Sequence, residues 1–418
     1  MTWQERRKWA LPRLRKTVTR AGTYAVYLVP GMVLAAAGFR FMPDDVARKG
    51  GLGNLLHLPA YYLQAIRVGY KPRCRWIVLA PRKQVANLAA LDYWRLHFIV
   101  IQSDWMCRAL APVSWMSVVS DGQRPWPNWR IKREGRLLRN RQMSYEITKA
   151  YEERFGTTKV LELSPEHGEA GRENLVRFGV PRDAWWVAIH AREAGYVRDP
   201  SHRDSDQTNR NADIRTYIPA VEHIIEQGGW VIRMGDPAMS HFPKMERVID
   251  YVHTDMFCDW MDLFLTARCR FMLGTSSGPN LLPWVFGRPV AMVNYTSPGV
   301  YADPDSSSAI YIFKPHWSDR EQRLLSFVEI LQSPLAFMWS DRTIATHGVR
   351  LLDNSPDEIL DLTKEMFEVL GGKAVYTGED ERRRQRFDEL RNARHRFPSP
   401  TLTRLGRDFL EKYDRLLY

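Results

Sequence analysis

Four apolar runs mark the stretch from residue 185 to residue 294: WWVAIH (185–190), WVIRMG (230–235), RFMLGT (270–275) and PVAMVN (289–294). Each is apolar at nearly every position, not at every second one, so both faces of the strand it predicts are covered. The segments that follow the first three, IRTYIPAVEHIIEQ, WMDLFLTARC and NLLPWVFG, carry helical spacing. In the first of these, Ile214, Tyr217, Ile218, Val221, Ile224 and Ile225 recur at three and four, the stripe of a helix lying on a sheet, and Gly228-Gly229 ends it. Buried strands alternating with amphipathic helices predict an α/β fold with a parallel, doubly wound sheet.

An earlier stretch, over residues 75–103, repeats the alternation more faintly. RWIVLAP (Arg75 to Pro81) reads as a buried strand, VANLAALDYWRLH as a helix and FIVIQS as a further strand. A chain of 418 residues exceeds what a single core usually organises, about 250 residues. Two doubly wound, Rossmann-like domains facing a cleft are therefore expected. The boundaries predicted are a basic and apolar segment over 1–42, an N-terminal α/β domain over 43–150, a helical linker over 151–182, a C-terminal α/β domain over 183–375 and a charged helical tail over 376–418. SPDEILDLTKEMFEVLGG and TLTRLGRDFLEKYDRLLY are expected to pack across the outside.

The formal charge of +12 is uneven, because the first twenty residues carry seven Lys or Arg against one Glu. Beside them lies AGTYAVYLVPGMVLAAAGF (Ala21 to Phe39), nineteen residues without a charge. That is short for a bilayer-spanning helix, which needs about 20 residues, and Pro30-Gly31 at its centre favours a kink or hairpin. An interfacial anchor on an anionic membrane surface is expected, with a spanning or signal helix and an apolar helix packed on the protein itself as the other readings. Four dispersed cysteines suggest neither a zinc site nor a disulfide framework, and a reducing cytoplasm at the inner membrane is the expected location. The basic excess sits beside the apolar segment and no recognition-helix or RNP-like pattern is present, so nucleic acid is not an expected partner.

Ligands of open parallel sheets lie outside the carboxyl ends of the strands, where the topology reverses. Strand alternation aims His190 and Arg192 to the same side. A guanidinium with an imidazole beside it suits a diphosphate leaving group. The plainer reading is a core histidine and an arginine paired with Glu193 or Asp199. GTSSGPNLL joins a strand to a helix, and the backbone amides with the hydroxyls of Thr275, Ser276 and Ser277, opened by Gly278, offer an anion site or simply a capped turn. Arg233, Gly235 and Asp236 in VIRMGDP lie by a strand end, in reach of a ribose or base edge. GGLGN, with Gly53 and Asn54, leads into a helix and could close over phosphates, yet has neither GxGxxG nor P-loop spacing. Asp204 to Asp206 and Asp303 to Asp305 lie in turn-rich loops and are not expected to hold metal, and HExxH and GxSxG are absent.

Taken in order, HAREAGY, RNADIRTY, VIRMGD, MDLFL and the TSSG turn resemble a family of bacterial glycosyltransferases associated with surface-polysaccharide loci. The resemblance runs closely over Ala184 to Asn294 and loosely over VANLAALDYW. More distantly, these motifs are similar to fucosyltransferases of the GT-B fold. It implies that His190 and Arg192 contact the phosphates of a nucleotide-sugar, with Gly53 and Asn54 lining the opposing wall. Those enzymes often continue HxR with a second Arg and an Asp, whereas Glu193, Ala194 and Gly195 follow here. The resemblance therefore does not extend to the donor sugar. The activity implied is metal-independent transfer of a sugar, without a cofactor, from a nucleotide-sugar donor to a lipid-linked or surface-glycan acceptor. Arg192 and His190 would stabilise the departing diphosphate and Glu193 would be the nearest base, while Arg210, Asn211 and Tyr217 would close over the sugar or the first turn. A nucleotide-sugar epimerase of the same fold and a non-enzymatic, membrane-peripheral binding protein for glycan or nucleic acid are the alternatives.

Overall fold

The computed structural model describes residues 26–42, 46, 51–71, 73–114, 130–133, 136–193, 207–299, 305–337, 340–393 and 401–418. By packing, the chain divides into two compact units, Met1–Leu55 with Lys71–Asn140, and Leu56–Tyr70 with Arg141–Tyr418.

The first unit holds three parallel strands in the order β1 (Phe39–Phe41), β2 (Arg75–Leu79), β3 (Ile99–Ile101). The helix Leu88–Trp94 falls where helical spacing predicts it, and Asn87 caps it by accepting from the Ala90 amide at 2.7 Å. β1 emerges from the end of the uncharged run that had been expected as an anchor. Within that run residues 26–36 are helical. Tyr27 and Leu34 pack with Phe41, Ile77 and Leu79, whereas Val26, Leu28, Val29, Met32 and Val33 are exposed. No helix among the described residues is long and apolar enough to cross a membrane. A hairpin, β4 (Arg130–Arg133) with β5 (Arg136–Arg139), completes the unit.

The second unit is built on β6 (Trp186–His190), β7 (Trp230–Arg233), β8 (Val248–Ile249), β9 (Met272–Thr275), β10 (Val290–Tyr295) and β11 (Ala309–Phe313). A small antiparallel sheet follows, β12 (His316–Ser318), β13 (Arg323–Leu324) and β14 (Val349–Leu351), and then β15 (Arg404–Leu405). The large sheet has the order β15-β11-β10-β9-β6-β7-β8, with every pairing parallel. The chain thus builds outward from β6 through β7 and β8, then returns to the other side of β6 with β9. The topological switch point lies between β6 and β9.

Both faces are covered, as the continuous apolar runs require. Val187, Ile189 and Leu273 face a cluster with Tyr217, Val221, Ile224, Ile359, Leu362 and Met366. Trp186, Ala188 and Met272 face the opposite one, with Leu175, Met261, Phe264 and Leu265. The helix predicted from Ile214 onward is split into a 3-10 turn, Ile214–Tyr217, and an α-helix, Ile218–Glu226. Pro219, which lacks an amide proton, is tolerated only in a first helical turn, so the α-helix starts around it. Gly228 at φ +85° closes that helix with its amide on Ile225 O, 2.8 Å. The C-terminal segment does more than lie outside: β15 extends the sheet, and Phe409, Leu410 and Leu417 enter the core.

Candidate functional site

The carboxyl ends of β6 and β9 meet at the switch point, with His190 opposite Gly274 in register. A Cβ on Gly274 would come within 2.3 Å of Asn280 Oδ1, so only glycine fits there. Asn280 in turn donates to Thr275 O at 2.6 Å, closing the TSSG turn. The amide of Arg192 donates to Thr275 Oγ1 at 2.9 Å, which joins the two strand ends directly. The Arg192 guanidinium, half-buried, donates to Gln207 O at 2.6 Å and Asn211 Oδ1 at 3.0 Å. Arg210 places Nε and Nη2 on Ser276 O at 3.0 and 2.5 Å. The structure therefore brings together Arg192, Arg210, Asn211, Thr275 and Ser276, with Ser277 and Gly278 half-buried beside them. The helix after the turn, Leu281–Val285, has five residues and is preceded by a 3-10 turn, so few aligned amides stand behind Ser277.

His190 lies deeper than Arg192, at 1% exposure. Burial above all, with the charges of Arg233 and Arg192, depresses its pKa to about 4 against the Met234 carbonyl, which raises it. The ring is neutral at pH 7. Its Nδ1 is 3.3 Å from Met234 O, so the tautomer serving that carbonyl carries its proton on Nδ1 and leaves Nε2 an acceptor without a partner among the described residues. Tyr217 is fully buried behind it and donates to His190 O at 3.5 Å.

VIRMGD behaves differently. Arg233 is the last residue of β7 and wholly buried, with Nη2 on Glu193 Oε1 at 3.0 Å and Nη1 on Asp250 Oδ1 at 3.4 Å. Glu193 Oε2 accepts from Ser240 N at 2.9 Å and Ser240 Oγ at 2.6 Å. Gly235 has φ +156°, and half-buried Asp236 accepts from Ala238 N at 3.0 Å, a local turn. Gly53 and Asn54 lie in the other unit, in the first turn of the helix Leu52–Arg67 and half-buried. Residues 194–206, including Asp204 to Asp206, and Asp303 lie outside the described residues. Asp305 is fully buried, its Oδ1 accepting from Thr401 Oγ1 (2.6 Å), Leu402 N (2.8 Å) and Thr403 N (3.0 Å), which clasps the C-terminal segment to the β10–β11 connection.

Sequence reasoning missed Lys314. It follows β11 at the same carboxyl edge, is 2% exposed, and sets Nζ 2.6 Å from both Asn211 O and Asp353 Oδ1. The available signal was a lysine directly after the all-apolar AIYIF.

No known family model matches the chain, and no curated protein matches it. Among solved structures it is similar to the glycosyl transferase family 9 protein from Veillonella parvula, at 12% identity over 74% of this chain and 96% of that one, with a TM-score of 0.43. It is also similar to the E. coli ADP-heptose lps heptosyltransferase II, at 11% identity over 80% and 99% of the two chains, TM-score 0.45. A third is the dodecameric iron-containing heptosyltransferase TibC from E. coli, in complex with ADP-D-beta-D-heptose, at 14% identity over 81% and 79%, TM-score 0.39. The chemistry in each name is that protein's own.

Proposed function

We propose that the chain is a glycosyltransferase of GT-B architecture that moves a sugar from a nucleotide-sugar donor to a glycan or lipid-linked acceptor. One observation carries the reading. HxR and TSSG, motifs of the resemblance separated by more than eighty residues, end adjacent strands at the switch point and are joined by the Arg192 amide on Thr275 Oγ1. A departing diphosphate needs fixed donors that do not reorganise during the reaction. Arg192, held by Gln207 and Asn211, and the Thr275 to Gly278 turn are assigned to that task, with Arg210 fastening the turn from above. His190, neutral and sealed, positions the strand end through Met234 O. Glu193, with both oxygens engaged, holds Arg233 and Ser240. The reaction needs no metal or cofactor in this proposal.

The test is a thermal-shift series with nucleoside diphosphates and nucleotide-sugars. A ligand that binds only the folded state raises the melting temperature, by a margin worth about 2.7 kcal/mol at a hundredfold over Kd. At least one nucleoside diphosphate is expected to do so, and insensitivity to all of them sinks the reading. Donor incubated without acceptor is expected to stay unchanged; its conversion to an isomeric sugar nucleotide would make the protein an epimerase instead.

The proposal also seats the protein on the cytoplasmic face of the inner membrane. The supporting observations are the exposed apolar side chains on residues 26–36 and the seven basic residues among the first twenty. Flotation with phosphatidylglycerol vesicles is expected to carry the protein up, and replacement of Val29, Met32 and Val33 by serine to leave it at the bottom. Equal flotation of both proteins would refute the seat.

A further inference from the structure

The turn after β7 and the end of edge strand β8 bring His241, Asp250 and His253 together, with one ligand atom from each lying within 4.8 Å of the others. His253 Nδ1 is 2.7 Å and His241 Nδ1 3.5 Å from the same oxygen, Asp250 Oδ2. The two imidazoles lie side by side, centroids 3.8 Å apart and planes at 31°, so both present the same ring nitrogen to one carboxylate. None of the three belongs to the site assigned to sugar transfer.

We propose that His241, Asp250 and His253 form a binding site for one divalent first-row transition ion, zinc in the first instance. Metal–ligand bonds of about 2.0–2.2 Å set neighbouring donor atoms roughly 3–4 Å apart, and the two distances to Asp250 Oδ2, 2.7 and 3.5 Å, with all three donors within 4.8 Å, lie around that spacing. Two imidazoles and a carboxylate form a donor set suited to zinc and its neighbours in the transition series. The outer contacts are in place as well. His253 Nε2 lies 3.2 Å from Met239 O, and donating its proton there leaves the Nδ1 lone pair aimed at Asp250. Asp250 is oriented by Phe242 N on Oδ2 at 3.0 Å and by buried Arg233 on Oδ1 at 3.4 Å. The hydrogen bond between His253 Nδ1 and Asp250 serves that one pair, whereas a metal ion serves all three side chains. His241, 79% exposed, leaves the outer side of the site to water. The ion would fasten the loop that carries Ser240, whose amide and hydroxyl hold Glu193, so occupancy would stiffen the support behind Arg233.

The proposal stands independently of the transferase reading, and its test needs no substrate. Chelator-stripped full-length protein is titrated with zinc chloride at pH 7.5 and followed by calorimetry and by melting temperature. The expected result is one ion per chain and a rise of at least about 3 °C. His241→Ala, a change at the surface, is expected to keep the metal-free melting temperature and lose the rise. His253→Gln is expected to lose it too. His347→Ala, which removes an exposed histidine elsewhere, is expected to retain it. No uptake by the native protein would overturn the site, as would an unchanged rise in His241→Ala, which would place the zinc on other groups such as the cysteines.

Discussion

Arg192 and Arg233 stand at the carboxyl ends of neighbouring parallel strands, in motifs that look equally suited to a ligand, and they have opposite fates. Arg233 is the final residue of its strand, where the sheet still covers it, and is sealed between Glu193 and Asp250 at zero exposure. Arg192 lies two residues beyond the end of β6, half-buried at the rim, with its guanidinium on Gln207 and Asn211. A shift of two residues relative to the strand end thus separates an arginine that organises the core from one that can meet a ligand. Length past the last paired residue is a better guide to exposure here than charge alone.

The sharpest way to break this comparison is to remove the buried arginine. Arg233→Met strands two mostly buried carboxylates, and breaking such a pair by deleting one partner costs about 3–5 kcal/mol. For a unit of this size that corresponds to a fall in melting temperature of roughly 10 °C. Glu193→Gln added to Arg233→Met is expected to recover part of the loss, since the uncompensated charge is then reduced; this is a coupling that a double-mutant cycle reads directly. A melting temperature within about 2 °C of native for the single variant would show that Arg233 is not the keystone described.

Four strands of the second unit were legible because burial on both faces writes itself as a continuous apolar run: WVAIH and MLGT fall within the runs that predict them and VAMVNY passes its run by one residue, Tyr295, whereas AIYIF, equally apolar and buried, was not read as a strand. The convergence of HxR with TSSG was legible too, because strand ends at a switch point are where ligands go. The partners of Arg233 were not. Glu193 is forty residues upstream and Asp250 seventeen downstream, and no local period links positions that meet only through sheet order. β1 was hidden because its apolar residues continue an uncharged run, and β15 because two residues make no pattern. Lys314 was passed over because the AIYIF before it was not read as a strand, and the fold sets it at the sheet edge beside Asn211.

The rim half of the comparison is tested by activity, with a somewhat smaller expected effect. Arg192→Ala is expected to lower turnover at least about a hundredfold, the scale on which loss of one preorganised transition-state donor is felt, equivalent to about 2.7 kcal/mol. Its melting temperature is expected to stay close to native. The contrast with Arg233→Met is the informative part: one variant folded and slow, the other unstable. If Arg192→Ala unfolds instead, the guanidinium belongs with the core, and the two arginines are alike after all.

The smallest effect concerns His190, which sits between the two regions, its ring on Met234 O beside the Arg233 turn and its chain leading to Arg192. With a folded pKa depressed to about 4 against 6.5, the ring refuses a proton that the unfolded chain accepts. Stability is therefore fully present above pH 6.5 and falls as the pH drops toward 4; at pH 5 one such histidine costs about 1–2 kcal/mol. His316, depressed to about 4 by burial, acts with the same sign. Asp305 opposes both, because burial raises it to about 6 and its folded form keeps a proton that the unfolded chain gives up between pH 3.8 and 6. A raw pH profile mixes all three. Comparing native protein with His190→Gln in denaturant melts at pH 7 and pH 5 removes the two shared contributions, and the variant is expected to lose about 1–2 kcal/mol less between those pH values. An identical loss in both proteins would mean that His190 titrates as freely folded as unfolded. That would put its ring at the open rim with Arg192 and not in the sealed layer with Arg233.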